Sequence, residues 1–393
     1  MVVYFLNALE QTEWGIFYSR ALTRLMASTI VSQVIDNLPK FEKNSTWYAE
    51  LSILASRLPT AADPGMDIPG LDRALLGPVR EFVSRDSKQV RAQLVRIGFS
   101  LSTDDSRAVQ PSRDQLIDCL ACVVEALHAG SLMIDDIQDD DEIRRGKAAL
   151  HLQIGVPLAI NAANWLYFWP ADLLRQQDVA PAMELEIYRL FHKTMMRAHE
   201  GQALDLGHDM TSTSQAEVLK ISVAAIELKT GELMGMCSEL GAIVGEAAPA
   251  RRDQLAKFGR SFGVALQMLN DTGEVSAKNA SSKNATSKNA TSKNDSSKPL
   301  GPLHRPSWVW AVAAQELKPD EFLTFQNVMR RPSESSPADV LLLNLVLAKA
   351  TQLALAEFEI CMDEMNSVVQ NNAHPATLSW LRELAQKVIM AYA

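Results

Sequence analysis

The segment LMIDDIQDDDEIRRGKAALH, residues 132–151, sets concentrated negative charge beside concentrated positive charge. Asp135, Asp136 and Asp139 stand at i, i+1 and i+4, so on a helix Asp135 and Asp139 share a face one turn apart, with Asp136 beside them. Carboxylates held that close repel unless a cation lies between them, and hard oxygen ligands that leave room for water suit Mg²⁺. Such an ion also takes oxygens from a substrate phosphate. Arg144 and Arg145 can grip further phosphate oxygens through two-pronged hydrogen bonds. A solvated acidic helix end is the plain alternative, but this cluster grows directly out of the apolar run 129–134.

A second oxygen-rich cluster lies in ALQMLNDTGE, where Asn270 and Glu274 are one turn apart and Asp271 is alongside. Between the two clusters, polar residues interrupt apolar helical sequence: Gln202 and Asp205 in EGQALDLG, Lys229 and Thr230 in ELKTGEL, and Gln267 one turn before Asn270. Upstream, Lys88 and Arg91 in SRDSKQVRAQL are at i and i+3, which puts two cations on one helical face. His128 is seven residues, about two helical turns, before Asp135 and points to the same side.

Helices must position these groups. Amphipathic stretches run at 114–138, 156–176, 181–207, 214–246, 251–275, 307–330 and 337–366, with a last one near 376–392, and nothing reads as a series of alternating strands. The expected architecture is all-α, a bundle with its site between facing helices. The 393 residues, 47% of them hydrophobic, support a substantial core, and a net charge of −9 argues against nucleic acid as a partner. Residues 1–65 read as a helical extension that leads into the linker LPTAADPGMDIPG, and 66–393 as the main domain with a low-complexity insertion at 276–302. Within the insertion, KNASS, KNATS, KNATS and KNDSS follow one another over 278–298 with almost nothing apolar to bury, so a disordered loop is expected. Its N-x-S/T sequons should stay unmodified, since the N-terminus lacks the basic start and long apolar run of a secretory signal. The most apolar stretch, VPLAINAANWLYFWPADLL, is broken by Asn161, Asn164, Pro170 and Asp172 and reads as a buried helix; no transmembrane segment is expected. Cys119 and Cys122 form C-x-x-C inside a helical pattern with no second pair nearby, so buried helix residues fit better than a zinc site, and a reducing cytoplasm is expected.

Taken in order and spacing, these motifs resemble the trans-isoprenyl diphosphate synthases, the polyprenyl synthetase family, from about residue 86 to residue 311. EALHAGSLMIDDIQDDDEIRRG is similar to the family's first aspartate-rich region; GQALDL, LKTGEL, ALQMLNDTGE and HRPSWVWA are similar to its later signatures. The resemblance implies the isoprenoid synthase-type helical bundle with a central cavity, a homodimer, and Mg²⁺-dependent head-to-tail condensation of isopentenyl diphosphate with an allylic diphosphate. It implies that Asp135, Asp136 and Asp139, facing Asn270, Asp271 and Glu274, hold Mg²⁺, three ions in all. Arg144, Lys229, Thr230 and Gln267 would contact the allylic substrate, and Lys88, Arg91, His128 and Arg145 the diphosphate of isopentenyl diphosphate. Small residues at Gly130 and Ser131, where an aromatic floor would stop growth early, imply geranylgeranyl diphosphate as product.

The chain departs from the family pattern at Asp86, Ser87 and Gln89, in place of two glycines and an arginine, and at Asn270 and Glu274, in place of aspartates. Two other readings follow from the altered second motif: a class I terpene cyclase, or a non-catalytic subunit of a heteromeric synthase. The cyclase pattern wants Ser at position 274 and Glu at 278, where this chain has Glu274 and Lys278.

Overall fold

The computed structural model describes residues 57–59, 68–85, 87, 89–102, 111–284 and 302–369. Lys88, nearly all of the 1–65 extension, the repeats beyond Asn284 and the expected helix at 376–392 lie outside the described residues. What is described is an all-α bundle carrying one small hairpin. The order is α1 (Gly77–Val83), α2 (Val90–Ser100), α3 (Pro111–Gln138), β1 (Ile143–Arg144), β2 (Lys147–Ala148), α4 (Leu150–Ile154), α5 (Val156–Arg175) and α6 (Pro181–Gly207). It continues with α7 (Gln215–Ile226), α8 (Glu232–Val244), α9 (Pro249–Asn284), α10 (Trp308–Glu316), α11 (Pro319–Arg330) and α12 (Pro337–Val369).

Proline sets many of the starts. Pro111, Pro181, Pro249, Pro319 and Pro337 each open a helix, where a missing N–H costs nothing because the first turn has no intrahelical partner for it. Pro319 also divides the expected 307–330 helix in two, since proline disfavours helical backbone at the residue before it. The expected 214–246 helix is interrupted at Glu227–Gly231 by a widened π-type turn. In the other direction, α9 runs past the expected end at 275 and carries helical backbone through the first repeat and into the second, to Asn284, where a loop was expected. The hairpin was not expected from the alternation pattern, because two residues per strand are too few to show one. Ile143 pairs with Ala148 and Arg144 with Lys147, leaving Arg145 and Gly146 as a two-residue loop with φ of 54° and 74°, the positive-φ pair of a type I′ turn.

The main core gathers α2, α3, α5, α8 and α9, with Leu120, Leu127 and Met133 of α3 fully buried at its centre. Crossing of α2 over α8 depends on Gly98 and Gly241. A Cβ on Gly241 would fall 1.9 Å from the Val95 carbonyl oxygen, and one on Gly98 2.1 Å from that of Ser238. A second cluster forms around Trp310, whose ring meets Phe325 edge-on at 5.0 Å, and joins α10 to α11 and α12. Arg113–Gln138 and Pro337–Met365 are long and apolar enough to cross a membrane by length and composition. The first is the core helix, 72% buried over its most apolar window, whereas the second is 28% buried.

Candidate active site

The C-terminus of α3 determines where its carboxylates point. Asp140 takes a left-handed conformation (φ 56°), the Asp141 N–H reaches the main-chain carbonyl of Asp136 at 3.0 Å, and the helix ends in a Schellman turn. The chain then doubles back through the hairpin and carries the Arg144 guanidinium to the Asp136 carboxylate at 2.5 Å, with Asp141 at 2.9 Å on the other side. Asp136 is fully buried, and its second carboxylate oxygen has no hydrogen-bond partner. This corrects the expectation that Asp136 faces a metal beside Asp135 and Asp139: it is buried against Arg144. Burial pushes its carboxyl upward, and the Arg144 hydrogen bond opposes that rise.

Asp135 and Asp139 do meet, as the i, i+4 spacing requires, and a third carboxylate joins them. Asp205 comes from α6, whose Gln202 donates to Asp135 at 2.8 Å and to the Gln138 side chain at 2.7 Å. Helix α6 can approach because residue 201 is glycine; a Cβ there would lie 2.5 Å from the Lys229 main-chain nitrogen. The widened Glu227–Gly231 turn brings Lys229 to Asp205 at 3.1 Å and Asp135 at 3.7 Å. Burial works against the Lys229 ammonium, yet Asp135 and Asp205 outweigh it and raise its pKa. From the far side Arg305 pairs with Asp139 and lies 3.9 Å from Asp205. Anions and cations thus alternate: Asp135, Lys229, Asp205, Arg305, Asp139. The last four border a pocket of about 690 Å³, part of it open to solvent, whose apolar wall includes Ala225, Ile226, Val275 and Leu303.

The second cluster is differently disposed. Glu274 lines the pocket, but both oxygens of Asp271 are already engaged, one by Gln267 Nε2 at 2.8 Å and the other by the Trp308 main-chain N–H at 2.6 Å. Burial raises the Asp271 carboxyl to about 7 in spite of those two donors. Gln267 in turn accepts from the Thr230 hydroxyl at 3.0 Å, so Thr230, Gln267 and Asp271 form one relay that ends at the first N–H of α10. That relay, the Met210 N–H on the His304 carbonyl (2.8 Å) and the Trp310 indole on the Leu303 carbonyl (2.9 Å) hold the segment that presents Arg305.

Arg91, His128 and Arg145 gather beside Glu125, apart from the carboxylates. Burial, followed by the nearby Arg91, Arg145 and Arg144 charges, holds His128 well below its ordinary pKa. His128 is therefore neutral at pH 7, its buried Nδ1 has no hydrogen-bond partner, and it can serve a diphosphate as a hydrogen-bonding group. Glu125 is buried, accepts the Ala92 N–H at 3.2 Å at the start of α2, and supplies the negative charge among these arginines.

Gly130 has a role beyond leaving room for a tail. A Cβ there would stand 2.9 Å from the Ala163 carbonyl oxygen and 3.2 Å from Tyr167, so α5 fills the space beside it. Tyr167 meets His199 edge-on at 5.8 Å; burial, and next the Asp135 charge, raise its pKa. An aromatic side chain therefore does stand beside Gly130, supplied by α5 instead of α3. Sequence reading missed Arg305, Tyr167 and Glu125. The signal for Arg305 was a charged residue in the otherwise apolar and aromatic run HRPSWVWA.

Asp135, Asp139 and Asp205 form a hard-oxygen set that suits Mg²⁺ once Lys229 and Arg305 are drawn to another anion. Among the described residues no group of three or more acidic, His or Cys side chains stands ready-made for a metal, because cations separate the carboxylates. Asp271 does not fit as a ligand while Gln267 and Trp308 hold it.

A sequence model of the polyprenyl synthetase family matches residues 72–334. Among curated proteins the chain is similar to a geranylgeranyl diphosphate synthase of Methanosarcina mazei, 29% identical over 199 residues, which are 50% of this chain and 58% of that protein. The chain spans somewhat over half the length of these curated relatives. Its fold is that of a geranylgeranyl pyrophosphate synthetase from Pyrococcus horikoshii, with a TM-score of 0.64 at 19% identity over 88% of this chain and 99% of that one. A polyprenyl synthase from Caulobacter crescentus, solved with calcium and isoprenyl diphosphate, superposes with a TM-score of 0.61 at 19% identity, covering 88% and 95%.

Proposed function

The chain belongs to the polyprenyl synthetase family, and from that premise we propose that it is a prenyltransferase that joins isopentenyl diphosphate to an allylic diphosphate. The observation that carries this reading is the alternating row of Asp135, Lys229, Asp205, Arg305 and Asp139, the last four of which line one pocket. Such a row can exchange its internal partners for a metal–diphosphate pair without leaving a buried charge uncompensated.

Asp135, Asp139 and Asp205 would hold Mg²⁺, which when bound stabilises negative charge on the departing diphosphate. Lys229 and Arg305, withdrawn from the carboxylates, would bind that diphosphate and favour its departure. The apolar wall excludes water from the resulting allylic cation until the double bond of isopentenyl diphosphate attacks it. Proton loss then completes the step, with the released diphosphate as acceptor, so no protein nucleophile is needed. Arg91, Arg145 and neutral His128 would seat the second diphosphate. A third ion at the second cluster would have to displace Gln267 or the Trp308 N–H from Asp271.

Geranylgeranyl diphosphate is the product we favour, supported by the relatives' names. A homodimer is supported by apolar side chains exposed on α4–α6, among them Leu152, Val156, Phe168 and Met196. Sedimentation should show a species of two chains. Four buried, unbridged cysteines support a reducing compartment such as the cytoplasm.

The test is incubation of purified protein with Mg²⁺ and farnesyl diphosphate, with and without isopentenyl diphosphate. Longer diphosphates only when both are present support the transferase. A hydrocarbon formed without isopentenyl diphosphate would make it a cyclase, and no turnover a partner subunit.

A further inference from the structure

Outside the pocket, the last turn of α1 is tied to both strands of the Arg-Arg-Gly hairpin. The Arg85 side chain is wholly buried; it grips the Glu81 carboxylate at 2.8 and 3.1 Å and donates through its remaining terminal nitrogen to the Arg144 carbonyl at 3.1 Å. Glu81 takes Lys147 from the opposite strand at 2.9 Å. Burial works against the Glu81 carboxylate, but Arg85 and Lys147 outweigh it and hold its pKa below the usual range. Phe82 lies between: its ring faces the Arg85 guanidinium at 4.8 Å and the Arg145 guanidinium at 5.9 Å.

Arg145 needs such support. It occupies the left-handed region (φ 54°), which is unfavourable for a non-glycine residue and persists only when its surroundings over-determine it. The hairpin has a single pair of residues on each side, so its own ladder cannot supply that constraint. Two of the tethers come from the last turn of α1 and the third from Arg85 just beyond its end, which commits its planar fork to Glu81 and a main-chain carbonyl.

We propose that Arg85, with Glu81 and Phe82, forms a clasp that positions Arg145 for diphosphate binding without itself touching substrate. This rests on the reading of Arg145 as a diphosphate contact. Loosening the clasp removes binding shared by ground state and transition state, so KM for isopentenyl diphosphate should rise while kcat holds.

The experiment uses the full chain and two measurements: steady-state kinetics with farnesyl and isopentenyl diphosphates, and calorimetric titration with inorganic pyrophosphate. Arg85→Ala should raise KM for isopentenyl diphosphate about tenfold with kcat changed less than about twofold, and Arg85→Lys should recover part of the loss. Because removal of a buried guanidinium can cost folding, Lys147→Ala, which alters an exposed side chain, provides the second variant; it should raise the same KM about threefold. Unchanged KM in both variants, or an effect of Arg85→Ala confined to a lower Tm, overturns the clasp. If the wild-type chain shows no turnover, the transferase reading fails by itself. The clasp is then judged by pyrophosphate: weaker binding in Arg85→Ala upholds it, and an equal Kd overturns it.

Discussion

Asp271 shows how a motif position can keep its residue type and change its work. Both its oxygens accept N–H groups, and its role is to hold the start of α10 and with it the Arg305 segment. Its folded pKa, raised to about 7, lies above the ordinary value of 3.8, so the folded chain binds the extra proton. The stability that protonation gives is complete below about pH 4 and is lost as pH rises through about 7. In metal-free buffer the urea midpoint of the wild-type chain should therefore fall between pH 5 and pH 8, and Asp271→Asn should flatten that slope; a parallel slope in the variant would show that the dependence lies elsewhere. Tyr167 offers a second test. It fills the space beside Gly130 from α5, so Tyr167→Ala should lengthen the products made from farnesyl and isopentenyl diphosphates. Chromatography of the dephosphorylated products reads this directly, and an unaltered distribution would place the floor at another residue.

Helices were the legible part of the sequence. α6 begins and ends where periodicity puts it, and Asp135 and Asp139 meet because i, i+4 is a local relation. What could not be read depends on contacts far along the chain. Arg305 reaches Asp139 across 166 positions, and no spacing rule carries that distance. The loss of Asp136 to Arg144 comes from a hairpin too short to leave an alternation pattern. The widened turn at Glu227–Gly231 is likewise invisible in LKTG, yet it sets the direction of Lys229. Gly201→Ala should test how closely that turn must seat against α6. With its Cβ 2.5 Å from the Lys229 nitrogen, the variant must push the turn away, and a shift near 1 Å costs on the order of 100-fold in kcat. Circular dichroism should show the helices retained; wild-type kcat would mean that Lys229 tolerates displacement.

At the scale of the whole molecule, two hydrophobic clusters meet at Trp308, one built on α3 and the other on Trp310. The Arg305 segment belongs to the second, fixed through Leu303, His304 and Trp308 by groups on α9, α10 and the 208–214 connection. None of these anchors lies between residues 285 and 301. Replacing 285–301 with a short Gly-Ser linker should then leave kcat within about twofold and Tm nearly unchanged, as expected where few contacts cross a junction. Kinetics and thermal unfolding of the shortened chain check this, and a large loss in kcat alone would assign the repeats a part in turnover. The anchoring of Arg305 also bears on heredity. A five-residue unit copied in tandem, apart from every anchor named for Arg305, is open to gain and loss by slippage during replication, so the number of KNxxS units should differ among alleles whose pocket residues are identical.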